Sequence, residues 1–359
     1  MNPCTRFVLP PELAATEPPE QRGLARDEVR LLVAEAGRPV QHAAFRDIAG
    51  FLRPGDLVVV NTSATRASAV DGLRADGRPV TVHLSHHVPD GHHWVVELRT
   101  PGGVARIIDA HIGEQVHLPC GVKATLLAAH PDPSRRAGSR LWLAHIPVEG
   151  GVTGWLARVG HPITYGHLPV RPPLSAYQTV FARDPGSAEM PSAGRPFSTR
   201  VLADLIRHGV ALAELTLHTG VSSTESGEPP AAEWYQVPSG TAQQVNTTHT
   251  HGGRVIAVGT TVARALESAA DPRGQLTPQA GWTDLVLGPD RAPRVVDGLI
   301  TGWHEPDASH LLLLEAVAGP EVVGRAYVAA LAARYRWHEF GDSCLFLRPR
   351  EDARPGRRT

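Results

Sequence analysis

The chain's 359 residues are long enough for two domains, and 42% hydrophobic with 20% charged residues is the balance of a globular protein rather than a disordered one. A net charge of −1 and a pI near 7.0 leave no globally basic surface, so a nucleic-acid partner would need a local patch. Three cysteines (Cys4, Cys120, Cys344) in no C-x-x-C pair argue against a disulfide framework and fit a reducing cytoplasm; with no leader-like apolar stretch at the start and no run of about 18 apolar residues, a cytoplasmic protein with no membrane contact is expected.

The entry is Pro-rich, followed by a short strand expected at Val29–Val33. Pro54-Gly55-Asp56 marks a turn, and Leu57–Val60 reads as a buried strand. Between residues 66 and 150 the texture changes to short alternating runs bounded by Gly, Pro, Asp or Ser: Val80–Leu84, Trp94–Leu98, Ala105–Ile108, Gln115–Leu118, Ala124–Ala129 and Arg140–Ile146. Such spacing predicts a small all-β barrel or sandwich. From about residue 151 an α/β rhythm returns. Pro162–Pro173 is a loop, a helix is expected at 198–208, and strands at Val210–Leu217 and Arg254–Val258. A helix at 261–270, a strand at Val295–Thr301, helices at 308–318 and 321–334, and a last strand at Cys344–Leu347 follow. The fold class expected is α/β: a mixed α/β main domain (1–65 plus 151–359) interrupted by an inserted small β-barrel-like domain (66–150). Alternation in the main domain predicts parallel pairing through crossover helices.

RVIAVGTTVARALESAA (Arg254–Ala270) is the most informative stretch. An apolar β-branched run breaks at Gly259, offers Thr260 and Thr261 as helix N-caps, and continues with helix formers. Unpaired amides at a helix N-terminus suit an anionic ligand, although an ordinary βα unit has the same pattern. Other strand ends present polar groups: His218 after Leu215–Leu217, and Trp303 and His304 after Val295–Gly302, with Asp307 as a helix N-cap. Pro191–Gly194 leads into a further helix. The crevice at strand C-termini is where α/β sheets bind ligands. His218 and His304 are candidate acid–base groups or hydrogen-bonded structural histidines. Arg264 and Glu267 form a surface pair or hold a ligand carboxylate. The histidines at 83, 86, 87, 92 and 93 read as an exposed hairpin, since no Cys or helical H-x-x-x-H supports a metal, and none is expected. Arg135, Arg136, Arg140 and the Arg-rich tail from Arg348 read as solvated surface.

With these residues in view, the chain resembles the S-adenosylmethionine:tRNA ribosyltransferase-isomerase family of queuosine biosynthesis, from about Phe7 to Leu347. The resemblance is carried by RVIAVGTTVARALESA, PGDLVVVNTS, YQTVFA (Tyr177–Ala182), PSAG, LTLH, VVDGLITGWHEP and YRWHEFGDS (Tyr335–Ser343). It implies S-adenosylmethionine as a ribosyl donor and, as acceptor, a 7-aminomethyl-7-deazaguanine base in tRNA, with adenine and methionine released. The residues it points to are Gly259, Thr260, Thr261, Arg264, Asn61, Ala193 and Gly194 for the cofactor, and His218, His304 and Glu233 for catalysis. A monomer is expected.

Departures fall in the loops. Pro196 stands where the family has a histidine, and Ala64 where it has an arginine, with Arg66 nearby. Thr219-Gly220-Val221-Ser222-Ser223 replaces the family's glycine-rich loop, and Ala231 replaces a histidine two residues before Glu233. This pattern fits a divergent member and leaves three readings open. They are ribosyl transfer to tRNA, the same sulfonium chemistry on a small molecule or cleavage of the cofactor, and a non-catalytic RNA- or nucleotide-binding relic.

Overall fold

A computed structural model describes residues 2–88, 93–135, 138–221, 231–288, 290–306 and 308–348. In chain order the first strands are β1 (Arg30–Glu35), β2 (Gln41–Ala44), β3 (Leu57–Asn61) and β4 (Ser63–Thr65). Six more follow: β5 (Ala69–Arg74), β6 (Pro79–His87), β7 (His93–Arg99), β8 (Gln115–His117), β9 (Lys123–His130) and β10 (Leu141–His145). Then come α1 (Val152–Val159), β11 (Asp184–Ser187), α2 (Thr199–Arg207), β12 (Ala211–Leu217), β13 (Glu233–Val237) and α3 (Ser239–Thr250). The chain continues with β14 (Val255–Val258), α4 (Thr260–Ser268), β15 (Gln279–Thr283), β16 (Gly298–Gly302), α5 (Ser309–Ala318), α6 (Pro320–Ala332) and β17 (Ser343–Leu347).

The main sheet has nine strands in the order β15-β13-β12-β3-β14-β16-β17-β1-β2. Its centre is parallel, as the alternation predicts: β12, β3, β14 and β16 run the same way. The flanks are not. β17 lies antiparallel to β16 because two helices, α5 and α6, connect them. A pair of helices doubled back at Gly319, which caps both, returns the chain to the end of the sheet it left. β13 and β15 add an antiparallel pair at the other edge.

Burial on both faces explains the unbroken apolar runs. Leu57 and Val59 of β3, with Val255 and Ala257 of β14, face the core under α3 to α6. Val58, Val60, Ile256 and Val258 face a second core completed by α2 and Phe45, Ile48 and Phe197. Strands buried on both sides read as continuous hydrophobics rather than alternation. The strand starts are pinned by charge. Asp56, in the Pro54–Asp56 turn, accepts from the backbone and guanidinium of Arg254 (2.5 Å to Nη2), tying β3 to β14.

The second unit is a closed barrel in the order β10-β7-β6-β5-β8-β9, with every neighbouring pair antiparallel. Val70, Val82, Val96, Leu126 and Trp142 fill it. Ala105–Ile108, expected as a strand, contributes only an isolated bridge between Arg106 and Arg99. The histidine run is not simply an exposed hairpin: His83 is fully buried, with Nδ1 3.7 Å from Glu97 Oε2, and His86 is largely covered. His92 and the hairpin tip lie outside the described residues. Arg140, read as surface, is buried and reaches Glu97 at 3.5 Å. Arg348 is bonded to the Pro293 carbonyl, while Arg136 and the tail from Arg350 lie outside the described residues.

Candidate functional site

A cavity of about 590 Å³ opens where the C-terminal ends of β14 and β16 meet the segment that follows the barrel. Its sheet-side wall is Val258–Thr261 and Thr301–Glu305; its far wall includes Arg99, Tyr165, Gly166 and His167. The volume falls within the roughly 300–1,000 Å³ of small-molecule sites. Strand ends in a doubly covered sheet are where such crevices form, because β14 must turn into α4 there.

That turn is made by Gly259, whose φ of 91° and ψ of 156° lie in a region open essentially to glycine alone. Gly259, not a threonine, is the N-cap, and Thr260 and Thr261 are the first two helical residues. The threonines were the expected caps because their side chains can accept an amide bond. Here no side chain caps the helix. The first-turn amides of α4 therefore meet the cavity wall without an intrahelical acceptor. The positive end of the helix dipole adds to their preference for an anion. Ala193 lines the same cavity beside Gly259, together with Pro191 and Ser192. Gly194 packs instead against Thr179 and Phe181 and is not part of the lining.

Arg264 and Glu267 are neither a surface pair nor partners. Glu267 is buried and accepts the amides of Arg294, Val295 and Val296 at 2.8–3.0 Å, fixing the approach to β16. That approach remains irregular, and β16 starts at Gly298 rather than Val295. Arg264, also buried, pairs through Nη1 with Glu233 and donates to the carbonyls of Leu285 and Thr283, each at 3.0 Å. Glu233 in turn accepts the Gly220 amide at 2.9 Å. Both line the cavity, but the guanidinium is committed to protein acceptors. Its geometry is that of a clamp joining α4, β13 and the loop after β12.

The two candidate histidines part company. His304 lines the cavity, with Nε2 3.0 Å from Thr301 Oγ1 and its ring stacked on His310 at 4.5 Å. Its carbonyl takes a bond from Trp337 Nε1, so the backbone is held from behind. Burial pushes its conjugate acid well below the ordinary imidazole range, with His310 and His338 adding like-charge opposition. His218 is not on the lining. Its Nδ1 bonds Ser63 Oγ at 2.8 Å and its ring stacks on Trp234. Burial first, then Arg66, pushes it down to about 4. Asn61, expected at the cofactor, is turned into the sheet: it bridges the Leu217 backbone at 2.8 and 3.0 Å and accepts the Ser63 amide. Both residues stitch the end of β3 to the end of β12. Arg66, close in sequence to the position of the missing arginine, lies over the Trp94 ring and donates to the Ser85 carbonyl. Asp307, Ser222 and Ser223 lie outside the described residues.

Further residues line the cavity beyond the candidate site residues. Tyr165 donates to Glu189, and burial with the Glu189 charge holds its phenol well above the ordinary range. His310 lines the wall beside His304. His167, His338 and Glu339 come together with all three ligand-type atoms within 4.8 Å of one another. His338 and Glu339 lie 171 and 172 positions after His167, a separation no local pattern bridges.

Residues 5–346 match the family described as queuosine biosynthesis protein. Relatives named S-adenosylmethionine:tRNA ribosyltransferase-isomerase include one from Symbiobacterium thermophilum, 35% identical over 95% of this chain and 98% of its own length. Another, from Carboxydothermus hydrogenoformans, is 34% identical with the same coverage. The solved S-adenosylmethionine tRNA ribosyltransferase of Thermotoga maritima superposes with a TM-score of 0.53 at 28% identity, covering 96% of this chain and 99% of that one.

Proposed function

The chain belongs to the queuosine biosynthesis protein family, and from that premise we propose that it consumes S-adenosylmethionine as a ribosyl donor. The acceptor is the aminomethyl group of a 7-deazaguanine base in tRNA, and adenine and methionine are the leaving products. What carries this is the uncapped first turn of α4 on the cavity wall. Its amides are the donors we assign to the methionine carboxylate, with Ala193 packed alongside. Arg264 has the role of holding Glu233 and the β13 edge rather than touching the carboxylate.

A sulfonium acidifies the adjacent C5′ hydrogens, so the first chemical requirement is a positioned base in a site that excludes water. We assign that base to His304. With Nε2 engaged by Thr301, Nδ1 is the ring atom left to accept a proton. His304→Ala is expected to lower turnover at least about tenfold, or about 1.4 kcal/mol of barrier. Because its conjugate acid is depressed, the neutral base is fully present at pH 7 and is lost only as pH falls well below 6.5. The acid limb of the wild-type rate profile should therefore lie below that point. Unchanged turnover in the variant, or an acid limb centred at 6.5, would remove His304 from this role.

Purified protein is incubated with S-adenosylmethionine, with and without tRNA carrying the aminomethyl-deazaguanine base, and free adenine and methionine are measured. Release that requires the tRNA is the expected result. Release without tRNA points to a small-molecule acceptor or to cleavage, the reading favoured by the altered loops at Pro196 and Thr219–Val221. Absence of release in both arms overturns the enzymatic reading.

A further inference from the structure

His167, His338 and Glu339 form a cluster on the cavity wall to which the proposed ribosyl transfer assigns no role. His167 Nε2 lies 3.2 Å from Glu339 Oε2, and the rings of His167 and His338 stack at 4.3 Å with 19° between their planes. Neither ring nitrogen of His338 has a hydrogen-bond partner among the described residues. Two imidazoles and one carboxylate are the nitrogen and oxygen donors favoured by first-row divalent cations, and three protein ligands leave positions free for solvent or substrate.

Structure around the cluster holds it in addition to these contacts. Trp337 and Phe340, both essentially fully buried, flank His338 and Glu339 in the chain and anchor that segment on either side. The Trp337 amide bonds the Leu13 carbonyl at 2.8 Å, the Asp342 amide bonds the Arg336 carbonyl at 2.9 Å, and the Gly341 amide bonds the His338 carbonyl at 3.0 Å. A Cβ at Gly341 would stand 2.4 Å from the Arg336 carbonyl oxygen, so only glycine permits this tight turn. Within it His338 adopts a φ of 71°, a left-handed conformation that costs a non-glycine residue energy and persists only where its surroundings over-determine it. His167 is presented by the turn in which the Leu168 amide bonds the Tyr165 carbonyl. Leu168, Tyr177 and Phe340 belong to one small core, so the same packing fixes both ligand-bearing segments.

We propose that His167, His338 and Glu339 bind a divalent first-row transition cation of the zinc class at the wall of the cavity. Zinc–nitrogen bonds of about 2.1 Å place tetrahedral ligand atoms about 3.4 Å apart. The His167–Glu339 separation already meets this, and the other separations need to close by up to about 1.4 Å. Metal binding does not rest on the ribosyl-transfer reading and is tested without any assay of activity.

Protein stripped with EDTA is titrated with zinc against a chromophoric chelator, and in parallel with cobalt, whose visible d–d bands report its ligand geometry. The expected result is one zinc per chain, weakened about 100-fold by His338→Ala and at least about tenfold by Glu339→Gln, with tetrahedral cobalt bands lost in both. His111→Ala, an exposed histidine of the barrel, should bind as the parent does. Glu339→Gln keeps the side-chain shape, so it decides the matter even where His338→Ala fails to fold. Absence of stoichiometric zinc in the parent, or zinc affinity undiminished in Glu339→Gln, overturns the proposal.

Discussion

Arg264→Met is expected to destabilise the fold by about 3–5 kcal/mol, the cost of breaking a buried ion pair by removing one partner. The variant strands the Glu233 carboxylate, 14% exposed, in the cavity wall and leaves the Thr283 and Leu285 carbonyls without their donor. Breaking the pair is costly because what remains is a carboxylate without its counter-ion, held only by the Gly220 amide; the pair itself is worth far less than its removal costs. A second substitution therefore separates the two effects. Glu233→Gln on top of Arg264→Met removes the stranded charge and should recover at least about 1 kcal/mol in urea-unfolding midpoints. Recovery on this scale marks the pair as a clamp. A single variant within about 0.5 kcal/mol of the parent would show the pair to be solvated and the clamp absent. Turnover should fall with the clamp, because α4, β13 and the Gly220 loop all form the cavity's edge.

Much of the frame around this clamp is legible in the residues themselves. β3 and β14 are buried on both faces, and their runs of valine and isoleucine say so without a partner in view. β13 and β15 are harder to read, because Gln279–Thr283 is a mostly exposed edge whose alternation is weak. α3 (SGTAQQVNTTHT) is nearly as polar on its buried side as on its exposed one, so no helical period announces it. Side-chain destinations are the least legible. Asn61 and His218 sit at strand ends, as ligand-binding residues do, yet both spend their polar atoms on neighbouring strands. Only the pairing of β12 with β3 makes those bonds possible, and no feature of either strand alone announces that pairing. The same limit hid His167 from His338 and Glu339, whose meeting depends on how two distant segments dock on one small core.

Gly259→Val is expected to abolish measurable S-adenosylmethionine binding, weakening it by at least about 100-fold, or 2.7 kcal/mol. Two independent costs converge on this position. A β-branched residue cannot adopt φ 91°, ψ 156° without strain of about 1–3 kcal/mol, and the chain must relieve it by moving the first turn of α4. Its Cβ would also stand 3.3 Å from the Ala193 Cβ, pushing apart the two segments that line this end of the cavity. Both displacements act on the amides assigned to the ligand carboxylate, so the loss should be in affinity before it is in chemistry. Isothermal titration with S-adenosylmethionine checks this, and a matched titration with adenosine locates it. If the amides hold the carboxylate, adenosine binding should fall less than cofactor binding does. An equal loss for both would mean that the turn shapes the whole cavity instead. Unchanged affinity for the cofactor would move the carboxylate away from α4 altogether. Ala193→Gly in the same background relieves the side-chain contact but not the backbone strain. If strain dominates, as the glycine-only ψ implies, that second change should restore little of the lost affinity.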